Sequence, residues 1–213
     1  MSQHFIPALK YPILTRFYDH LAEWYFQRGT FRPNLIDALD LQAGQRVLDL
    51  GCGPARLAIL HKRAHRSLEV TAADCDPEML FIAERNVRKA KVDVQVVKQD
   101  LGHLTLKGPY DRIYSALVFH HLTVQSKKRA LKKISELLAP GGRFVLGDFC
   151  QSERLKERMQ FLRLQFFDGF KTTSPHAEGW LERNLPLYFK HVERIHKVST
   201  FVGPMGVFVC RKL

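Results

Sequence analysis

Residues 47–55 read Val47-Leu48-Asp49-Leu50-Gly51-Cys52-Gly53-Pro54-Ala55. The apolar run Arg46 to Leu50 has the length and composition of a buried strand, and Gly51 closes it. Ala55 to His65 then carries helical periodicity. A strand that empties through two glycines into a helix makes a sharp corner. Glycine reaches positive φ and lets a ligand come close to the backbone. A pyrophosphate-binding loop would place a third small residue where this chain has Arg56. That argues against a dinucleotide. Asp49 argues the same way, because a carboxylate repels a pyrophosphate and suits a cation or an ammonium group. The plain alternative is an ordinary strand-turn-helix corner.

Working outward, the same alternation repeats. Tyr11 to Gln27 predicts an aromatic-faced helix and Asn34 to Leu41 a second, short one. Beyond the corner, Glu69 to Ala73 reads as a strand, and Glu78 to Lys91 as a helix that Pro77 opens. Val92 to Lys98 and Arg112 to Val118 read as strands. Val124 to Leu138 reads as a helix stopped by Pro140-Gly141-Gly142, and Phe144 to Leu146 as a fifth strand. A long helix is predicted over Ser152 to Phe167, then strands His191 to Thr200 and Gly206 to Lys212 around Gly203-Pro204. Alternating strands and helices imply a doubly wound α/β sheet of mostly parallel strands, closed by a C-terminal antiparallel hairpin. In such sheets ligands sit beyond the carboxyl ends of the strands.

Acids stand at those ends. Asp74 follows the second strand, 25 residues after Asp49, where a carboxylate accepts from ribose hydroxyls. Asp76 is the better candidate to cap the next helix. After the third strand come Asp100 and Leu101, placed to meet an adenine amine and ring nitrogen; a turn-forming aspartate is the alternative. The fourth strand runs from Tyr110-Asp111-Arg112-Ile113-Tyr114-Ser115-Ala116 into Leu117-Val118-Phe119-His120-His121-Leu122.

In order and spacing, Asp49 to Gly53, Asp74, Asp100, Tyr110 to Leu122 and Leu138 to Phe144 resemble the class I S-adenosylmethionine-dependent methyltransferases. The ubiquinone/menaquinone-biosynthesis-like (methyltransferase type 11) subgroup is the most similar, over roughly residues 10 to 150. The resemblance implies a Rossmann-like, seven-stranded methyltransferase fold. It also implies S-adenosylmethionine as cofactor and S-adenosylhomocysteine as product. Asp49, Gly51, Cys52 and Gly53 would hold the methionine portion, Asp74 the ribose, and Asp100 with Leu101 the adenine. Ser115 would lie beside the methionine amino group. The family often has a loop glycine where this chain has Ala55, so a slightly different loop is expected. Tyr18-Asp19 matches a pattern of the quinone-type relatives, in which the first helix closes over the cofactor.

For the reaction itself, the sulfonium methyl is already activated, so alignment of the acceptor supplies much of the acceleration. Where the acceptor must lose a proton, a base helps. His121, then His120, then Tyr18 are the candidates. The alternative for the histidines is that they hold the loop. Leu155 to Phe170 is rich in large apolar residues interleaved with Arg154, Lys156, Arg158 and Arg163. Most of the apolar ones are expected in the core, and part of that surface would form an acceptor roof or touch a membrane. Pro175 to Leu187 is the expected substrate-side insertion.

The whole chain, 213 residues with 46% hydrophobic and 25% charged content, has ordinary globular usage, which excludes a disordered tail. It is read as one methyltransferase domain, 1–213. Residues 1–42 would be a helical cap, 43–150 the cofactor-binding core, and 151–213 the substrate-side helices and hairpin. The four cysteines form no C-x-x-C pair, so neither a disulfide framework nor a metal site is expected. Nothing resembles a signal peptide or a membrane span, which sets the expected location as cytoplasmic, with peripheral contact at the inner membrane face. The net charge of +12 favours an anionic partner. Solvated helix faces are its plain explanation, an anionic membrane the next, and nucleic acid comes behind. The expected acceptor is a small, lipophilic molecule, quinone-like or phospholipid. RNA or protein methylation, or a non-catalytic cofactor-binding module, are the alternatives.

Overall fold

The computed structural model describes residues 29–212. The expected helix at Tyr11 to Gln27, and with it Tyr18, lies outside the described residues. Seven strands form one sheet in the order β3-β2-β1-β4-β5-β7-β6. They are β1 (Arg46–Leu50), β2 (Glu69–Asp74), β3 (Val94–Lys98), β4 (Tyr110–Ala116), β5 (Leu138–Phe149), β6 (His191–Thr200) and β7 (Gly203–Arg211). The first five pair in parallel, and β7 runs antiparallel between β5 and β6. This is the doubly wound sheet with a closing hairpin that the sequence predicts.

Side chains on a strand alternate between faces, so one strand feeds two cores. Val47, Tyr114, Val145 and Val207 face one side. There they pack on α1 (Phe31–Leu39), α2 (Arg56–Ala64), α3 (Pro77–Ala90) and α5 (Leu155–Asp168). Leu48, Ile113, Phe144 and Phe208 face the other side, against α4 (Val124–Leu137) and α7 (Trp180–Asn184). Between α5 and α7 lies α6 (Phe170–Ala177), whose last turn enters the stretch Pro175 to Leu187 expected as a substrate-side insertion; α7 lies wholly within that stretch. Gly147 lets α1 lie close on β5: a Cβ there would stand 2.4 Å from Leu35 and 2.8 Å from Phe31.

The differences from the sequence reading have local causes. Helix α1 begins and ends earlier than expected. Pro33 sits in its first turn, where no intrahelical N–H bond is lost, and Asp40 turns left-handed at φ 47° to end it. Strand β4 stops at Ala116 because Leu117 turns to φ 58°. Strand β5 is far longer than Phe144 to Leu146. Pro140-Gly141-Gly142 bulges out of it at a register shift opposite Tyr110 and Arg112 instead of lying before it. On α5 the core takes Phe161 and Leu164, while Leu155, Met159, Leu162 and Phe166 are exposed, as is Phe170 at the start of α6. Five of the eight apolar residues in that stretch therefore face solvent, against the expectation that most are core. The four on α5 lie on the far side of that helix from Phe161 and Leu164. All four cysteines are free. Among the described residues no helix is long and apolar enough to cross a membrane.

Buried Arg112 ties β4 to the end of α1. Its Nε donates to the Leu39 carbonyl at 2.6 Å and its Nη2 to the Asp40 carbonyl at 3.1 Å. These are carbonyls that a helix end leaves without partners, and a cation suits them. Replacing Arg112 with Met removes both bonds and keeps most of the volume. We expect a loss of about 2–4 kcal/mol in urea unfolding, from two charge-assisted bonds; a loss under about 0.5 kcal/mol would show that the tie is not needed.

Candidate functional site

The corner after β1 is held from two directions. The Gly51 and Cys52 amides both donate to the Ala73 carbonyl at the end of β2, at 2.8 and 3.0 Å. The Gly53 amide donates to Asp74 Oδ2 at 2.8 Å. Gly51 and Gly53 take φ of 75° and 49°, as the turn requires. Ala55 does so too, at φ 57°. That conformation costs an L-residue about 1–2 kcal/mol. The Ala55 amide donates to the Cys52 carbonyl at 2.9 Å and its side chain is fully buried, which offsets the cost. Ala55 therefore takes a glycine-like conformation at this position of the loop.

Asp49 is buried beneath this corner and accepts from the Tyr114 hydroxyl at 2.9 Å. Burial raises its carboxyl to about 7; the Tyr114 bond works against that shift, and repulsion from Asp74 adds to it. Asp74 lies at the end of β2, half-buried. Its Oδ1 accepts from the Asp76 amide at 3.0 Å while Oδ2 holds Gly53, so it organises the loop as well as facing it. Asp76 caps α3 by accepting from the Glu78 amide at 2.8 Å, as the sequence predicts. Asp100, exposed after β3, turns back to accept from the Gly102 amide at 2.7 Å, beside buried Leu101. Cys52 is buried in the loop, its thiol pushed up by burial and by Asp49 and Asp74.

Ser115 has a structural bond that the sequence did not suggest. Its side chain is fully buried and its hydroxyl donates to the Leu50 carbonyl at 2.8 Å. It ties the ends of β1 and β4 together, because the hydroxyl is spoken for inside the sheet.

The histidine pair stands beyond β4, in a short 3-10 turn over Phe119–His121. Asp148, a buried acid on β5, organises it. Asp148 Oδ2 accepts from the amides of Val118, Phe119 and His120, at 3.1, 2.7 and 3.3 Å. Asp148 Oδ1 takes the Phe149 amide and the His120 Nδ1 proton, each at 2.7 Å. His120 is buried, with Nε2 3.6 Å from Asp168 Oδ2. Burial opposes its charge, but the pull of Asp148 and Asp168 wins and raises His120 to about 9. The same His120 holds the Asp148 carboxyl well below the usual carboxylate range against burial. Between these carboxylates His120 is protonated at neutral pH, with both ring nitrogens directed at acids, and it does not suit the role of base.

His121 is different. Its ring lies 3.9 Å from that of His120, and the residue is exposed. Its proton affinity falls below the ordinary imidazole value, through desolvation and then repulsion from His120. Because the residue is exposed, the repulsion is the firmer of the two causes.

Around the pair lie groups the sequence reading missed. Lys127 is fully buried, with Nζ donating to the Thr172 carbonyl at 2.7 Å, although its neighbours on α4 suggested a solvated face. His176 donates Nδ1–H to the Phe149 carbonyl at 2.7 Å and is kept neutral by burial. Asp148 and Asp168 were also missed. The one available signal was an acid inside the apolar run Phe144-Val145-Leu146-Gly147-Asp148-Phe149.

The site fits a ligand carrying both a cation and a ribose. A Cβ at Gly53 would meet nothing within 4 Å, so the loop faces open space there. Buried Asp49 lacks only a cation to be ionised comfortably, and Asp74 borders the same opening.

Comparisons with known proteins agree with this geometry. Residues 47–142 match the family model of the methyltransferase domain. The demethylmenaquinone methyltransferase of Thermus thermophilus is 31% identical over 143 residues, 67% of this chain and 62% of the relative. A ribosomal protein L11 methyltransferase of Thermotoga petrophila is 36% identical over 103 residues, 47% of this chain and 38% of the relative. The chain thus spans less than two thirds of either relative. Among solved structures, the S-adenosylmethionine-dependent methyltransferase SibL superposes with a TM-score of 0.73 at 23% identity, covering 99% of this chain and 63% of that one. The corner, the acids at successive strand ends and the matched stretch agree: the chain carries a methyltransferase domain of class I, the S-adenosylmethionine-dependent kind.

Proposed function

We propose that this protein transfers the methyl group of S-adenosylmethionine to a lipophilic small-molecule acceptor, quinone-like or phospholipid, met at an anionic membrane surface. The observation that carries the cofactor half is the grouping of Asp49, Asp74 and Asp100 at three neighbouring strand ends around one glycine loop. Asp49 would pair with the methionine ammonium, Asp74 with the ribose hydroxyls, and Asp100 with the adenine amine beside the Leu101 amide. Bound there, S-adenosylmethionine supplies a methyl group already activated on a sulfonium. The chain's residues then have to orient the acceptor and exclude water. His121 is our candidate for the residue that meets the acceptor, since His120 is fastened between two acids. Tyr114 positions Asp49, and Ser115 positions the strand ends.

The acceptor half rests on two supports. The demethylmenaquinone methyltransferase relative has a lipophilic acceptor in its name. The exposed row Leu155, Met159, Leu162 and Phe166, flanked by exposed Arg154, Lys156, Arg158 and Arg163, gives α5 an apolar surface with a positive border. Such a helix suits an anionic interface. The second reading, protein methylation, is favoured by the ribosomal protein L11 methyltransferase relative and by the net charge of +12.

Two measurements test the proposal. Incubation of the protein with methyl-labelled S-adenosylmethionine and a cell extract, followed by separation, should put label in the lipid fraction. Label confined to protein or to RNA would overturn the lipophilic acceptor. The second concerns pH. In the free protein Asp49 is neutral below about 7 and ionised above it. A cationic ligand selects the carboxylate, so binding expels a proton on the acid side. Affinity for S-adenosylmethionine should rise about tenfold per pH unit as pH approaches 7 from below, then level off. Asp49→Asn should flatten that slope; a wild-type affinity unchanged between about pH 5.5 and 7 would contradict the role given to Asp49.

A further inference from the structure

The acceptor side of the site holds a second arrangement that methyl transfer does not require. His120, His121 and Asp168 each offer one ligand atom, and these atoms all lie within 4.8 Å of one another. They come from two elements, the turn after β4 and the end of α5. Asp168 Oδ2 is buried, with a side chain only 3% exposed, and it has no hydrogen-bond partner. The ion pair with His120 satisfies that oxygen only in part, since no hydrogen bond reaches it. His120 Nε2 faces it at 3.6 Å, too far for a hydrogen bond. That spacing is near the ligand-to-ligand edge of roughly 3.4 Å expected when two atoms bind one tetrahedral metal at about 2.0–2.1 Å.

The orientation of His120 points the same way. Its Nδ1–H is donated to Asp148, which leaves Nε2 turned toward Asp168 and His121, where a bound metal would take the place of the Nε2 proton and release it to solvent. A carboxylate that fixes one ring nitrogen so the other can coordinate is the usual support of a metal-binding histidine. Asp148 is itself held by four backbone amides, so the ring cannot turn.

We propose that His120, His121 and Asp168 form a divalent transition-metal site of the zinc class, with Asp148 as the positioning residue behind His120. Two imidazoles and one carboxylate suit zinc, cobalt or iron better than magnesium or calcium, which prefer all-oxygen shells. Three protein ligands leave at least one coordination position open, and the exposed side of the cluster is the side of His121. A hydroxyl acceptor reaching that position would be polarised by the metal and would lose its proton more readily. The inference goes beyond methyl transfer, because metal binding is read without any transfer assay.

The test uses the full chain, stripped with a chelator and dialysed. Zinc and cobalt are then titrated in separately, in competition with a chromogenic chelator and by the visible spectrum of the cobalt form. We expect one metal per chain and the intense absorption of low-coordinate cobalt. Asp168→Asn and His121→Gln each remove one ligand at little structural cost. They should each lower zinc affinity by at least about tenfold while circular dichroism stays unchanged; Asp148→Asn should lower it by about 10–100-fold. An Asp93→Asn control, at an exposed surface position, should bind as the wild type does. Wild-type protein that takes up no stoichiometric metal would overturn the proposal. So would equal affinity in wild type, Asp168→Asn and His121→Gln.

Discussion

The Gly53 amide ends on the carboxylate of Asp74. That bond joins the loop after β1 to the end of β2, and the rest of the site is arranged around it. It fixes a loop whose Gly51, Gly53 and Ala55 all take positive φ, and a loop of that kind would otherwise sample many shapes. It also turns a surface acid into part of a rigid rim. A ligand that meets Asp74 therefore meets a prearranged backbone. Asp49 lies below, buried and held by Tyr114. The two acids repel each other, and a cation between the loop and Asp49 would relieve that repulsion. The charge of the two acids and that of the proposed ligand thus have opposite signs.

A second buried acid plays the corresponding part across the sheet. Asp148 gathers three amides of the turn after β4, one amide of its own strand and the ring of His120. Burying a carboxylate this deeply is unfavourable without such a set of partners. With them, the strand end, the turn and His120 become one unit. His176 and Lys127 close the surroundings through backbone carbonyls. Two buried atoms of this group, Asp168 Oδ2 and His176 Nε2, are left without a hydrogen bond.

The corner from Val47 to Ala55 was legible in the sequence because it is local. An apolar run, two glycines and a helix pattern lie within a few residues, and each constrains the next. The acids at Asp74 and Asp100 were legible for the same reason, each closing its own strand. What was not legible depends on distant partners. Asp148 meets residues some thirty positions back in the chain, and nothing near it announces that. The bond that turns the Ser115 hydroxyl into the sheet, to the Leu50 carbonyl, depends on the pairing of two strands far apart in the chain. The α5 helix is apolar on more than one face, so its sequence periodicity could not say which face the core would take. The family resemblance reached the cofactor side, where the fold is constrained, and thinned out at the acceptor side.

The central claim is that Asp74 organises and faces the ligand site. Calorimetric titration of S-adenosylhomocysteine into wild type and Asp74→Ala tests it most directly, since that ligand binds without turnover. The account predicts that Asp74→Ala binds at least about tenfold more weakly, the loss of charge-assisted bonds to a carboxylate, with its circular dichroism spectrum unchanged. Equal affinity in the two proteins would contradict it.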